Sequence, residues 1–324
     1  MNERNLTLLT DFYEITMGNG YFINGLKDKI VYFDMFFREI PDEGGFVIMA
    51  GLEQLIDYLN NLHFTDEDIE FLRGKQLFDE GFLEYLRDFK FECDIWAVPE
   101  GRPVFPHEPL VTVRGPVIQA QFLETMLLLT INHQCLIATK ATASCAQPRA
   151  AVSWNLVPPR PGPDAANYGA RAAYIGGVAG SADTAADRDY GVPALGTMAH
   201  SWVQLFNDEE KAFRLYAEAY PQACTLLIDT YDVLGSGLPN AIKVFKEVVV
   251  PKATAQQVCA STAATSLISR SACARSSTPR VSKIVPLSPA AGWMNFSSRI
   301  CSCRAPSSTA SASANASSPA RAIL

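Results

Sequence analysis

Thr225-Leu226-Leu227-Ile228-Asp229 is a short, unbroken apolar run closed by a carboxylate, the pattern of a strand buried on both faces. Asn240 to Phe245, entered through Pro239, begins a helix, because proline is favoured in a first helical turn. Strand followed by helix is the repeating unit of a parallel α/β layer. Upstream, Gly191-Val192-Pro193-Ala194-Leu195-Gly196-Thr197-Met198-Ala199-His200-Ser201-Trp202 predicts an apolar strand ending in a Gly-Thr turn that delivers a His and a Ser. Reactive groups collect at such strand ends in α/β barrels. Before it, Gly162-Pro163-Asp164-Ala165-Ala166 leads to Gly169-Ala170-Arg171-Ala172-Ala173-Tyr174-Ile175-Gly176-Gly177. Its small residues admit a close backbone approach, and Arg171 offers a planar fork for a phosphate or carboxylate. On residue types alone, a small-residue helix packed on a sheet with Arg171 in a surface ion pair fits as well. From Gly162 onward the chain predicts a parallel, barrel-like α/β domain.

The N-terminal part predicts a different, α+β, arrangement. Thr10 and Asp11 are N-cap candidates for a helix carrying Phe12, Ile15 and Met17, with Tyr13 in its first turn. Ile30 to Phe37 reads as a strand. Leu52, Leu55, Ile56 and Leu59 give one apolar helical stripe. Thr65-Asp66-Glu67-Asp68 opens a second helix in capping-box style, and Phe82, Leu86 and Phe89, with Tyr85, mark a third. Cys93 to Val98 and Leu110 to Val113 are strand-like around the turn Gly101-Arg102-Pro103, and Gln119 to Leu136 reads as one long apolar helix.

Composition narrows the function. The net charge is −7 and no sustained Lys/Arg run exists, which argues against nucleic acid as a partner. No run of about 18 apolar residues is present to span a bilayer and the first residues are polar, so a cytoplasmic protein is expected. Cys93, Cys135, Cys145 and Cys224 lack CxxC spacing, and Cys301 and Cys303 form a lone CxC, so no metal site is expected. Among the four histidines, His63, His107 and His133 have ordinary loop or helix settings, and His200 alone has one that favours chemistry.

Thr10-Asp11-Phe12-Tyr13-Glu14-Ile15-Thr16-Met17, Glu108-Pro109-Leu110-Val111-Thr112-Val113-Arg114-Gly115-Pro116, the Gly162 to Gly177 run and Gly196 to Trp202 together resemble nicotinate phosphoribosyltransferase, over about residues 5–140 and 162–251. The resemblance implies an α/β fold: an N-terminal α+β domain (1–120) packed on an irregular, here truncated, α/β barrel (121–251) of the type II phosphoribosyltransferases. It also implies a homodimer whose active sites take residues from both subunits. The implied reaction joins nicotinate and phosphoribosyl pyrophosphate into nicotinate mononucleotide, with ATP hydrolysis and Mg²⁺. By resemblance His200 is the residue phosphorylated by ATP, Tyr13 lies against the nicotinate ring from the neighbouring subunit, and Thr197 lines the same pocket. Arg171 and Asp164 fall in matching segments that would hold phosphates, a ribose hydroxyl or the ring environment. Asp183 stands where the family has an amide and is not assigned. Within the class, nicotinamide and quinolinate phosphoribosyltransferases are the alternatives. Outside it, the alternative is a non-catalytic remnant that only dimerises or binds a partner.

Two stretches depart from this pattern. All 34 acidic residues precede residue 253, and the last 72 residues hold seven basic residues, 16 Ala and 17 Ser. Ala141 to Pro161 is likewise free of acids and rich in proline. The family would continue after 140 with Asn-Arg-Ile and Phe-Gly-x-Arg-Arg, and after 251 with Arg-Ile-Asp-Ser-Gly-Asp. Codons built from the third base of one residue and the first two of the next turn Cys259-Ala260-Ser261-Thr262-Ala263-Ala264-Thr265-Ser266 into Arg-Ile-Asp-Ser-Gly-Asp-Ile. The same offset recovers Asn-Arg-Ile from Lys140 to Ser144 and Met-Glu-Phe-Gly from Ser153 to Val157. Residues 141–161 and 252–324 therefore read as frame-shifted translation, from sequencing error or a decayed gene, and 252–324 is expected to be a disordered tail.

Overall fold

A computed structural model describes residues 4–40, 44–145 and 162–252, with short strands at 258–260, 283–284 and 313–314. It divides into two compact units, residues 1–139 with 308–324 and residues 140–307.

In the first unit, β1 (Ile30–Phe36) pairs antiparallel with β5 (Val111–Pro116), setting Ile30 against Pro116 and Met35 against Val111. On its other side β5 pairs antiparallel with β3 (Asp94–Ala97), Asp94 facing Arg114. The two-residue β9 (Ser313–Ala314) flanks β1. Side chains alternate across this sheet as the strand pleat demands. Val31, Met35, Val111 and Val113 are buried on one face. On the other, Arg114 Nη1 donates to Asp94 Oδ2 at 2.8 Å and its Nε donates to Tyr32 Oη at 2.9 Å. A small second sheet pairs β2 (Val47–Ile48) with β4 (Pro103–Val104).

Helices cover the apolar face. α1 (Phe12–Ile23), α2 (Leu52–Asn61), α3 (Asp66–Gly74) and α4 (Glu80–Arg87) bury Ile15, Leu55, Ile69, Leu72, Phe82 and Leu86 in one core. The capping box expected at Thr65 is present: Thr65 Oγ1 accepts from Asp68 N at 3.2 Å, and Asp68 Oδ2 accepts from Thr65 N at 2.8 Å. α2 is capped from far along the chain. Gly51 precedes it at φ 106°, and Glu100 Oε1 accepts from the amides of Gly51 at 2.7 Å and Leu52 at 2.9 Å. A Cβ at Gly51 would stand 2.9 Å from the Thr130 carbonyl oxygen, so glycine serves both the left-handed backbone and the close approach.

The single helix expected over Gln119–Leu136 is broken into α5 (Val117–Gln121), α6 (Glu124–Leu127), a wide π-turn at Leu128–Asn132 and α7 (His133–Cys145). The first break has a chemical cause. The Thr125 amide donates to Glu14 Oε1 at 3.1 Å rather than to the carbonyl one turn back.

In the second unit the chain runs through α8 (Pro163–Ile175), α9 (Thr184–Tyr190), α10 (His200–Leu205), α11 (Glu209–Ala219), β6 (Thr225–Leu227) and α12 (Leu238–Val244). Met198, Val203, Phe213, Leu226, Ile228, Leu238 and Phe245 form its main core. The expected parallel strand appears as β6, beside β7 (Val258–Ala260) and then β8 (Lys283–Ile284), all parallel. Among the described residues these three short strands do not make a barrel, since closure needs more strands, tilted and staggered. The strand expected to run from Gly191 into the Gly196-Thr197 turn is also absent: only Ala194 bridges, to Ser181. Pro193 has no amide to give a ladder, and Gly191, at φ 65°, ends α9 in the left-handed region. Of the two stretches read as off-frame, α7 extends through Cys145 and β7, β8 and β9 carry short pieces of the tail; residues 146–161 and most of 253–324 lie outside the described residues.

Candidate functional site

In the second unit, Thr197 and His200 lie along β6 and the residues that follow it. Thr197 Oγ1 donates to the Thr225 carbonyl at 3.0 Å, and His200 Nδ1 lies 3.2 Å from Thr230 Oγ1. His200 therefore opens a helix, where the sequence placed it at the end of a strand. Both side chains are half-buried. Beyond Thr230, Asp232 Oδ1 accepts from the amides of Leu234 at 3.0 Å and Gly235 at 2.9 Å, which folds the loop back toward the strand. Gly237 completes the turn: a Cβ there would sit 2.0 Å from the Ile228 carbonyl oxygen.

Arg171 and Asp164 are on α8, with Asp164 in its first turn. The Arg171 guanidinium lies over the Tyr190 ring, 5.9 Å from its centre. Their neighbours Ala170, Ala186 and Val192 form a small core of their own, separate from the one beneath Thr197 and His200. Asp183 caps α9, accepting from the Ala185 amide at 3.0 Å.

Tyr13 belongs to the first unit, in the first turn of α1, with 41% of its surface exposed. Burial of part of the ring and the nearby carboxylates of Glu124, Glu14 and Asp11 all raise its pKa well above the ordinary 10. Glu124 also accepts from Gln121 Nε2 at 2.7 Å. Beside Tyr13, Glu14 is wholly buried and accepts from Thr10 Oγ1 and Thr125 Oγ1, each at 2.5 Å. Burial lifts its carboxyl above the usual range, against the pull of those hydrogen bonds.

Sequence reasoning passed over Thr230, Glu14 and Glu124. A polar residue just past the apolar β6 run was the available signal for Thr230. For Glu14 there was none beyond its place in the Thr10–Met17 motif.

The fold is shared with a solved nicotinate-nucleotide pyrophosphorylase from Pyrococcus furiosus, at a TM-score of 0.58 and 18% identity over 81% of this chain and 68% of that one. More specific likenesses follow. Residues 8–132 match the nicotinate phosphoribosyltransferase N-terminal domain. The Bacillus subtilis nicotinate phosphoribosyltransferase is 42% identical over 243 residues, 75% of this chain and 49% of that protein. The crystal structure of human nicotinic acid phosphoribosyltransferase superposes with a TM-score of 0.64 and 30% identity, over 73% of this chain and 58% of that one. The chain belongs to the nicotinate phosphoribosyltransferase family. It spans about half the length of the curated relatives it matches.

Proposed function

We propose that this gene encodes a nicotinate phosphoribosyltransferase of NAD salvage, which condenses nicotinate with phosphoribosyl pyrophosphate and couples the condensation to ATP hydrolysis. The observation that carries the reading is the setting of His200 beside Thr197 on the β6 side, within a segment resembling the family. Displacement at the ribose anomeric carbon, with oxocarbenium character, needs the pyridine nitrogen held in line and the leaving pyrophosphate neutralised. Mg²⁺ supplies that neutralising charge when bound, and it takes substrate phosphate oxygens with few protein ligands, so no ligand set is assigned to this chain. The His200 imidazole attacks the γ-phosphoryl group of ATP, the bond from that phosphorus to the bridging oxygen breaks and ADP leaves, and the phosphohistidine then carries negative charge beside the substrates. Thr197 lines the nicotinate pocket, Tyr13 of the neighbouring subunit in a homodimer lies against the ring, and Arg171 and Asp164 serve the phosphate and ribose ends.

Residues 1–120 and 121–251 form the N-terminal domain and the first part of the barrel in this reading, with 141–161 and 252–324 off-frame. The 324-residue chain is then inactive, since 33 Ala or Ser among 72 residues offer too little apolar sequence to complete the barrel. Resequencing the gene, with assay of both chains, tests this: ATP-dependent mononucleotide synthesis by the 324-residue chain would refute it. In the frame-restored protein, His200→Ala should abolish acid-labile labelling from γ-labelled ATP and leave a weak ATP-independent condensation. Undiminished labelling of the mutant would move the phosphoryl acceptor elsewhere.

A further inference from the structure

We infer that Glu14, acting through Thr125, is the positioning residue that sets the presentation of the Tyr13 ring. The inference rests, for its functional meaning, on reading Tyr13 as the residue that meets the pyridine ring. Glu14 has no exposed surface and Tyr13, its neighbour, is outward, so whatever fixes one fixes the turn that carries the other.

The hydrogen-bond directions close on themselves. A carboxylate only accepts, so the Thr125 hydroxyl must donate to Glu14 Oε1, at 2.5 Å, while its oxygen accepts the Asp11 amide at 3.0 Å. The Thr125 amide reaches the same Glu14 oxygen at 3.1 Å, and Thr10 Oγ1 donates to the other at 2.5 Å. The start of α1 is thereby tied at residues 11 and 14 to the start of α6, with Thr10 bracing Glu14. Glu124, the first residue of that same α6, sets its carboxylate charge near the Tyr13 phenol. The backbone that carries the ring is thus referred to one short helix, through a buried polar network of the kind that specifies a single geometry.

The test uses the 324-residue chain with ¹³C-labelled tyrosine, the Tyr13 signal being assigned with Tyr13→Phe. Glu14→Ala should move the Tyr13 ring signal to the position of free tyrosine while the other tyrosines stay, apart from Tyr58, which also feels the Glu14 charge. Glu14→Gln should restore it, since an amide oxygen can take the Thr125 pair while its NH₂ donates to Thr10. If Glu14→Ala fails to fold, Thr125→Val removes the relay hydroxyl at similar size and should give the same signature. An unmoved Tyr13 signal in a folded variant, or equal movement of all the tyrosines, would overturn the inference. In the frame-restored enzyme Glu14→Ala should raise KM for nicotinate about tenfold at unchanged kcat, and add nothing in a Tyr13→Ala background. Additive effects of the two changes would also overturn it. If Tyr13→Ala alone leaves KM unchanged, the reading of Tyr13 fails while the spectroscopic result on Glu14 stands.

Discussion

Gly237→Ala should loosen the strand on which the proposed chemistry rests. Gly237 has φ −56°, so its backbone is open to any residue and the demand for glycine is purely steric. The added Cβ would lie 2.0 Å from the Ile228 carbonyl oxygen and 2.8 Å from its carbon. A tolerable contact needs about 1 Å more, and the partner is main chain, which cannot rotate away as a side chain would. The cost then lies near the upper end of overpacking penalties, about 3 kcal/mol. Ile228 stands two residues before Thr230, whose hydroxyl is 3.2 Å from His200 Nδ1, so a shift of that size breaks the contact. Peptide-resolved hydrogen exchange reads the effect: about 3 kcal/mol raises exchange across β6 and α12 roughly a hundredfold, with α2 in the other unit as an unchanged control. Exchange in β6 and α12 within twofold of the parent would refute the argument.

Other consequences are open to test. Thr65→Ala removes the side-chain half of the capping box and should cost about 1 kcal/mol, seen as faster amide exchange in α3. Glu100→Ala should fray the first turn of α2 by about 1 to 2 kcal/mol, because two helix-start amides lose a carboxylate acceptor at once. Burial pushes the Cys93, Cys135 and Cys224 thiols from their ordinary 9.0 up to about 12; at pH 8 alkylation of the native chain should be slow at all three and fast after unfolding. Because the unfolded thiols release their protons first, stability should fall as pH rises through 9 toward 12, and a denaturation midpoint flat over that range would count against their burial.

Local signals were legible and distant ones were not. The stripe of Leu52, Leu55, Ile56 and Leu59 and the Thr65-x-x-Asp68 pair each lie within one element, so periodicity and capping chemistry placed α2 and α3, although the buried face of α2 is Gln54, Leu55 and Tyr58 and Ile56 is exposed. The breaks after Gln121 were hidden because the group that takes the Thr125 amide lies 111 residues earlier. The apolar run from Gly191 into the Gly196-Thr197 turn misled for another reason: it holds a proline, which cannot donate to a ladder, and apart from Val192 and Met198 it is exposed or half-buried. Thr197 and His200 were named through their motif, whereas the pairing of Thr230 with His200 appears only when β6 is folded against them. The parallel direction of β6 followed from its apolar run, but no barrel is formed by the described residues.

The two ways of capping neighbouring helices bear on how the chain is made. α3 carries its whole cap within residues 65–68 and can close as soon as that segment leaves the ribosome. The start of α2 instead relies on Glu100, 48 and 49 residues further on, together with a glycine whose left-handed backbone offers no side-chain cap of its own. During synthesis α2 thus emerges with its first amides unpaired, and waits while α3, α4 and β3 are translated before its acceptor arrives. The later helix in the sequence is the earlier one to be complete, and the α2 start is fixed only when a long loop has closed.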